Sequence, residues 1–416
     1  MTVDTRSSSP ILWGQVCGLA GVQGAIALTW VIYNLYLVEL LTRLGFPEGL
    51  ATGLLVIENL LAMVMEPLMG TFSDRMQHRV GTRFPLVSLG MVLAAGCFII
   101  IPTVLFWGQG AALRWALPLV LVAWALAMTI FRSPAMSLLG RYAFRTQLPQ
   151  AASVLTLVGG LAGATGPLAN GFILSLGPIA AFTIGSTVLL VAALALRWVG
   201  PNSAVAPTVA APPSTPLSAL PWGKLVLVFG AGAGVTLGFR LLMGSFPQVL
   251  KAQVPNANVG LVMGSIFLAL AVTALPAGAI ATRLGNRRTM VGGLAAMALV
   301  AAVVASVQSL ALGVLLALLF GAAFSLVSNG TIPFALAMVP PDKAGLGTGI
   351  YFSGGALAAS LFGSLVGGGS LPPGLGALLG ALAFLLAGVC VGSAGDRGVT
   401  TAPEATAEAT SHQEGL

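Results

Sequence analysis

Twelve stretches of about 20 apolar residues, almost free of charge, leave a chain like this few ways to fold. Of its 416 residues 57% are hydrophobic and only 7% are charged, against roughly a quarter in a water-soluble domain. Such a chain cannot coat itself for water, so lipid is the expected solvent for most of its surface. In lipid every backbone amide and carbonyl must be satisfied internally, within helices or a closed barrel. The apolar runs are continuous rather than alternating over about ten residues, which excludes a barrel. The expectation is an all-α membrane protein.

The spans are expected near 12–38, 49–72, 85–106, 115–139, 151–175 and 178–198, then near 223–249, 259–282, 289–308, 311–338, 345–367 and 374–393. Between the sets lies a Pro-, Ala-, Ser- and Thr-rich stretch at 200–221, which reads as a linker. The implied division is a tail at 1–11, a six-helix bundle at 12–199, the linker, a second bundle at 222–394 and a disordered tail at 395–416. The first apolar stretch reads as a retained helix, because no small-residue cleavage site follows it. Basic residues sort by loop. Arg6, Arg75, Arg79, Arg83, Arg141, Arg145, Arg197, Lys224, Arg283, Arg287, Arg288, Lys343 and Arg397 fall on one side, and only Arg43, Arg114 and Lys251 on the other. By the positive-inside rule both termini are expected in the cytoplasm, with the bundle in the cell's inner (plasma) membrane. The same asymmetry accounts for the net charge of +7 without nucleic acid.

The two halves echo each other. After the second span come Gly70, Asp74, Arg75, Arg79, Gly81 and Arg83; after the eighth come Gly278, Thr282, Arg283, Gly285, Arg287 and Arg288. Glycine allows close helix approach, an acid can meet a neighbouring helix N-terminus, and arginines hold the loop against anionic lipid. Glycines also crowd the fifth span (Gly159, Gly160, Gly163, Gly166, Gly171) and the eleventh (Gly345, Gly347, Gly349, Gly354, Gly355), as tight crossing or sliding requires. Two such halves point to a site at their interface and to alternating access.

With those signatures the chain resembles the major facilitator superfamily. More finely, it resembles the sucrose–proton symporters and related glycoside–cation symporters. Tyr33-Asn34-Leu35-Tyr36 with Leu44-Gly45 is similar to that branch's first helix and outer loop, and Glu58-Asn59 with Pro67 to Arg75 is similar to its second helix. Arg132-Ser133-Pro134-Ala135 resembles the fourth helix, and Asn329, Pro333 and Gly347 to Ser353 resemble the tenth and eleventh. The chain departs from those relatives in carrying Glu58 where they commonly have Asp, and Glu66 where they have a neutral Gln. The resemblance implies a twelve-helix fold and proton-coupled symport of a small polar solute, a glycoside or disaccharide first.

Ionisable groups at membrane depth each invite a functional reading. Glu58 lies near the midplane, where a desolvated carboxyl suits a group that takes up and releases a proton; a permanent pair with Arg240 is the alternative. Glu66 and Arg132 lie at similar depth and are expected to pair as a structural or gating couple. Asp74, Arg75, Arg83 and Arg283 join them as gating or structural charges. Arg240 suits a solute carboxylate or hydroxyls, or Glu58. Tyr33, Asn34 and Asn329 offer hydrogen bonds to a solute, although an isolated Asn in a helix also serves as interhelical glue. Glu39 and Arg43 have the spacing of a surface pair. His78 falls in the basic loop and His412 in the tail.

Cys17, Cys97 and Cys390 lie in apolar runs without C-x-x-C spacing, so neither zinc nor a disulfide framework is indicated. No Walker sequence, H-E-x-x-H or carboxylate cluster occurs, so neither an enzyme nor a resident metal or cofactor is expected. The expected partners are a small-molecule substrate, a proton or other cation, and membrane lipid, with a monomer as the default. An exporter of drugs or metabolites, and a non-transporting pigment or complex-assembly factor, are the alternatives of the same fold.

Overall fold

Without water to bond their amides, the apolar runs close into helices. The computed structural model describes residues 11–107, 113–200, 215–254, 256–367 and 371–395. Most of the tail expected at 1–11, most of the linker and all but Gly395 of the second tail lie outside the described residues. Twelve long helices run through the rest: α1 (Trp13–Arg43), α2 (Gly49–Val80), α3 (Phe84–Trp107), α4 (Ala116–Ser137), α5 (Leu148–Ser175), α6 (Gly177–Trp198), α7 (Trp222–Gln253), α8 (Val259–Leu284), α9 (Asn286–Val304), α10 (Leu310–Ala337), α11 (Ala344–Gly367) and α12 (Pro373–Ser393). Among the described residues, eleven helices are long and apolar enough to cross a membrane; α11, at 24 residues but rich in Gly and Ser, accompanies them. The chain is an all-α, multi-pass membrane protein.

Several helices outrun their apolar stretches. α2 continues to Val80 and carries Asp74, Arg75, His78 and Arg79 on its last turns, so His78 is helical rather than in a loop. It stops at Gly81, whose φ of 78° favours glycine and whose N–H bonds to Gln77 O at 3.0 Å. Prolines interrupt α2, α3, α4, α5, α7, α8 and α10. In α5, two residues past Pro167, Ala169 leaves helical geometry (φ −123°, ψ 19°), which bends the helix there.

Two apolar cores form, one in each half. The first is built around Tyr33, Phe98, Trp124 and Phe182, the second around Phe246, Phe320 and Phe384. Between the halves run two long seams, α2 on α11 and α5 on α8. Lipid tails are as apolar as Leu, so burial from water cannot drive these helices together; close van der Waals approach must. Glycine makes that approach possible. A Cβ at Gly70 would overlap the carbonyl of Gly345, and one at Gly278 would lie 2.7 Å from Ser153 Cβ. Toward the opposite end of the first seam, the hydroxyl of Ser360 donates to Val56 O at 3.2 Å.

The face carrying Arg75, Arg79 and Arg83 is termed the basic face. There the halves are clamped: α10 packs on α5, α11 packs on α4, and Ile332, Leu336 and Ala344 join the first half's core. α1 and α7, in contrast, barely touch.

Gly70→Val is expected to destabilise the protein by at least about 1–3 kcal/mol through overpacking, because the opposing atoms are backbone. Gly96→Val, where nothing lies within 4 Å, is expected to shift stability by less than about 0.5 kcal/mol. Unfolding of the detergent-solubilised variants followed by intrinsic fluorescence checks both.

Candidate functional site

At the basic end of the α2–α11 seam Asp74 spans the two halves. Its carboxylate accepts from the backbone N–H groups of Gly345 and Leu346, both at 2.8 Å, in the first turn of α11. A helix start presents unpaired N–H groups and a partial positive charge, so an acid is the residue that suits this place. Arg83 closes the other side, with Nη2 2.6 Å from Asp74 Oδ1 and Nη1 donating to Ser137 Oγ at 2.7 Å. Burial pulls the Arg83 guanidinium below its ordinary pKa, and Asp74 beside it pulls the other way. Ser133 Oγ donates to Gly345 O at 2.9 Å and lies 3.1 Å from the Thr348 hydroxyl, adding α4 to the joint. The corresponding position of the second half is Thr282, whose hydroxyl, among the described residues, bonds only to Gly278 O within its own helix, so the acid-to-helix contact has no counterpart there. Arg75 and Arg283 are exposed on the basic face.

Further along the seam, Glu66 and Arg132 pair between α2 and α4. Nε and Nη2 of Arg132 both reach Glu66 Oε1, at 2.7 and 2.6 Å, with the carboxylate fully buried. The same guanidinium lies over the ring of Phe352 on α11, 4.6 Å from its centroid. Ser353, the next residue, donates to Met63 O at 2.5 Å. The pair therefore reaches the other half through one aromatic ring.

Phe352 also lines a cavity of about 320 Å³ between the halves. First-half walls come from Gln23 of α1, Met136 of α4 and Thr156 and Gly159 of α5; second-half walls come from Thr236 and Phe239, Phe267, Phe324 and Thr331, and Tyr351. The lining is mainly apolar, with one amide and several hydroxyls, and holds no charged side chain. Sequence reasoning did not single out Gln23, Thr156 or Thr236. The signal available for Gln23 was an amide set within the apolar run of α1, eight residues after Gln15 and eleven before Asn34.

Glu58 lies apart from that lining. It is 4% exposed and accepts a 2.5 Å hydrogen bond at Oε1 from the Tyr33 hydroxyl, while Oε2 is buried without a partner. Tyr33 stacks on Trp124 with centroids 4.5 Å apart, and Trp30 meets both rings edge-on. The alternative of a Glu58–Arg240 pair is not formed, because Tyr33 holds the carboxyl inside the first half. Tyr33 itself is fully buried. Asn34 is exposed and donates to Trp30 O at 2.7 Å; eleven residues past Gln23, it shares that residue's helix face about three turns on. Asn329 is fully buried and donates to Ala274 O at 2.7 Å, joining α10 to α8 rather than facing the cavity. Arg240 is exposed on α7, one residue past the cavity-lining Phe239.

The family model of the Major Facilitator Superfamily matches residues 228–410. A search of curated protein sequences finds no match. Among solved structures, the human organic anion transporter MFSD10 (TETRAN) superposes with a TM-score of 0.65 at 16% identity, over 93% of this chain and 100% of that one. A bacterial homologue of the iron transporter ferroportin, in an outward-facing state with soaked iron, superposes with a TM-score of 0.69 at 16% identity, over 94% of this chain and 100% of that one. The same homologue without the soak gives 0.69 over 94% and 99%. At this identity the likeness concerns the fold, which is the major facilitator fold.

Glu66→Ala is expected to cost about 3–5 kcal/mol, because it leaves the Arg132 guanidinium beside Phe352 without its counter-charge. The double variant Glu66→Gln, Arg132→Met is expected to recover most of that loss. A double-mutant cycle on unfolding midpoints measures the coupling.

Proposed function

We propose that this chain is a secondary transporter that moves a small organic solute by alternating access, coupled to protons through Glu58. The observation that carries the reading is the cavity of about 320 Å³ enclosed between two halves, closed toward one face by a single latch. Glycine seams let the halves rock on each other, and the latch at Asp74 holds one of the two states. With the basic face in the cytoplasm, as the positive-inside rule has it, the latched conformer is the one closed to the cytoplasm.

Coupling requires that the loaded and empty carriers favour different states. Glu58 suits this task by its surroundings. It sits where α1, α2 and α4 meet, without a cationic partner among the described residues, and its only hydrogen bond runs to Tyr33 on α1. Adding or removing its proton changes what Tyr33 can donate to, and so changes how α1 packs on Trp124. The Glu66–Arg132–Phe352 chain offers a second link, from the first half to the cavity wall.

The solved neighbours carry unlike cargo, an organic anion and iron, so the fold alone does not select a solute. Among the described residues no group of three or more His, Cys, Asp or Glu comes together as an iron site would need. The glycoside expectation rests on the resemblance of Tyr33-Asn34, Glu58 and Arg132 to the sugar symporters. The four phenylalanines of the cavity favour a solute with an apolar body over a fully hydroxylated one.

In proteoliposomes loaded with a pH-sensitive dye, sucrose, maltose and 1-naphthalenesulfonate, which does not cross lipid as a neutral acid, are to be added in turn, beside protein-free liposomes. The expected result is lumenal acidification with at least one solute, abolished in Glu58→Gln, while solute exchange at equilibrium persists. Acidification that survives Glu58→Gln would remove Glu58 from the coupling step.

A further inference from the structure

Two guanidinium groups lie at membrane depth, and their situations differ. Arg132 is occupied by Glu66 and by the ring of Phe352. Arg240 makes no ion pair and no hydrogen bond among the described residues. An arginine cannot shed its charge at ordinary pH, and an unpaired cation inside a membrane bundle is retained where it faces water or a ligand. Glu58, the carboxyl that its position on the chain offers as a partner, is held by Tyr33 instead.

The position of Arg240 on α7 relates it to the cavity. It follows Phe239 directly and lies one helical turn beyond Thr236, and both of those residues line the cavity. Residues four apart share a helix face, and a helical Cβ tilts toward the helix N-terminus. Since α7 starts at Trp222, the Cβ of Arg240 tilts back toward the turn of Thr236, which lines the cavity, while Arg240 itself stands outside that lining. It remains accessible, as a binding group must. The cavity itself contributes aromatic walls and hydroxyls but no charge of either sign.

Resting on the transporter reading above, we infer that the solute is an amphipathic organic anion, with its acid group on Arg240 and its apolar body in the cavity against Phe239, Phe267, Phe324 and Phe352. A carboxylate or sulfonate fits the planar fork of a guanidinium in two-point contact. Phe239 stacks on Phe324, with centroids 4.9 Å apart, and meets Phe267 edge-on, so with Phe352 the rings give the cavity an aromatic wall on which an apolar body can rest. An organic amine would find no acid in the lining, and a metal ion would find no ligand cluster among the described residues. A neutral polyol would leave Arg240 without a counter-charge and set its hydroxyls against phenyl rings. The anion is the class that satisfies the charge and the walls together.

The test uses the purified full-length chain in lipid nanodiscs, with aryl carboxylates headed by 1-naphthoate, each beside its neutral carboxamide. Wild type is expected to bind at least one carboxylate at least tenfold more tightly than its amide, by titration calorimetry. Arg240→Gln is expected to erase that preference, and Arg240→Lys to keep part of it, with unliganded melting curves confirming that both variants are folded. Equal binding of acid and amide by wild type, undiminished acid binding by folded Arg240→Gln, or no binding of any carboxylate overturns the inference. The same compounds in proteoliposomes separate the two readings. Transport of the amide or of sucrose in preference to the acid leaves the transporter and removes the anion. Arg240-dependent binding without transport keeps the anion site and removes the transporter.

Discussion

One carboxylate on two backbone amides organises the closed end of this protein. Asp74 reaches from the last turns of α2 to the first N–H groups of α11, and Arg83 neutralises it from behind. Neither contact would be expected to hold in isolation, since a buried ion pair often does no better than break even against its desolvation. They hold together because the glycines at 70 and 345 bring the two backbones within reach, so the acid meets the helix start with no gap for water. Tight packing of small residues and a charge set on a helix terminus thus support one another. The second half has a threonine in the equivalent place, so among the described residues the α2–α11 seam carries this charged contact and the position of Thr282 does not.

Above that clamp the demands on the structure change. The wall of the cavity includes Met136 of α4 and Ile332 of α10, and α7 contributes Val235, Thr236 and Phe239, the last of them next in sequence to Arg240. The buried charges of the first half face inward, Glu58 to Tyr33 and Glu66 to Arg132, and are satisfied within that half at one oxygen each. In the second half Arg240, midway along α7, has no ion pair or hydrogen bond among the described residues. The proposed function uses this asymmetry: Glu58 in the first half is its coupling group, and Arg240 in the second half is its fixed cation.

The fold was legible in the sequence because lipid imposes it. Continuous apolar runs, a polar linker and loop-sorted arginines constrain helix number strongly. Parts of the site were legible too: an acid placed after Gly70 meets a helix start, and charges at equal depth on neighbouring helices, Glu66 and Arg132, pair. What was not legible is which face of each helix turns inward. In water, polar residues mark the outer face of a helix; in lipid the outer face is as apolar as the core, so α7 and α10 carry little pattern. For that reason Asn329, one of the polar groups assigned to the solute, proves to be interhelical, bonded to Ala274 O. Thr156 and Thr236, which line the cavity, looked like ordinary helix residues. The direction in which Glu58 turns was not legible either: it is held by Tyr33, which packs on Trp124.

The central claim is that the latch at Asp74 selects between two arrangements of rigid halves. The most direct measurement is a pair of spin-label distances in the protein with Cys17, Cys97 and Cys390 replaced by Ser. One label pair sits at Arg145 and Ala337 on the basic face, the other at Thr42 and Lys251 on the opposite face. In Asp74→Asn the account predicts a longer basic-face distance together with a shorter distance across the other face. Distances that stay as in the parent protein, or that lengthen together, would contradict it.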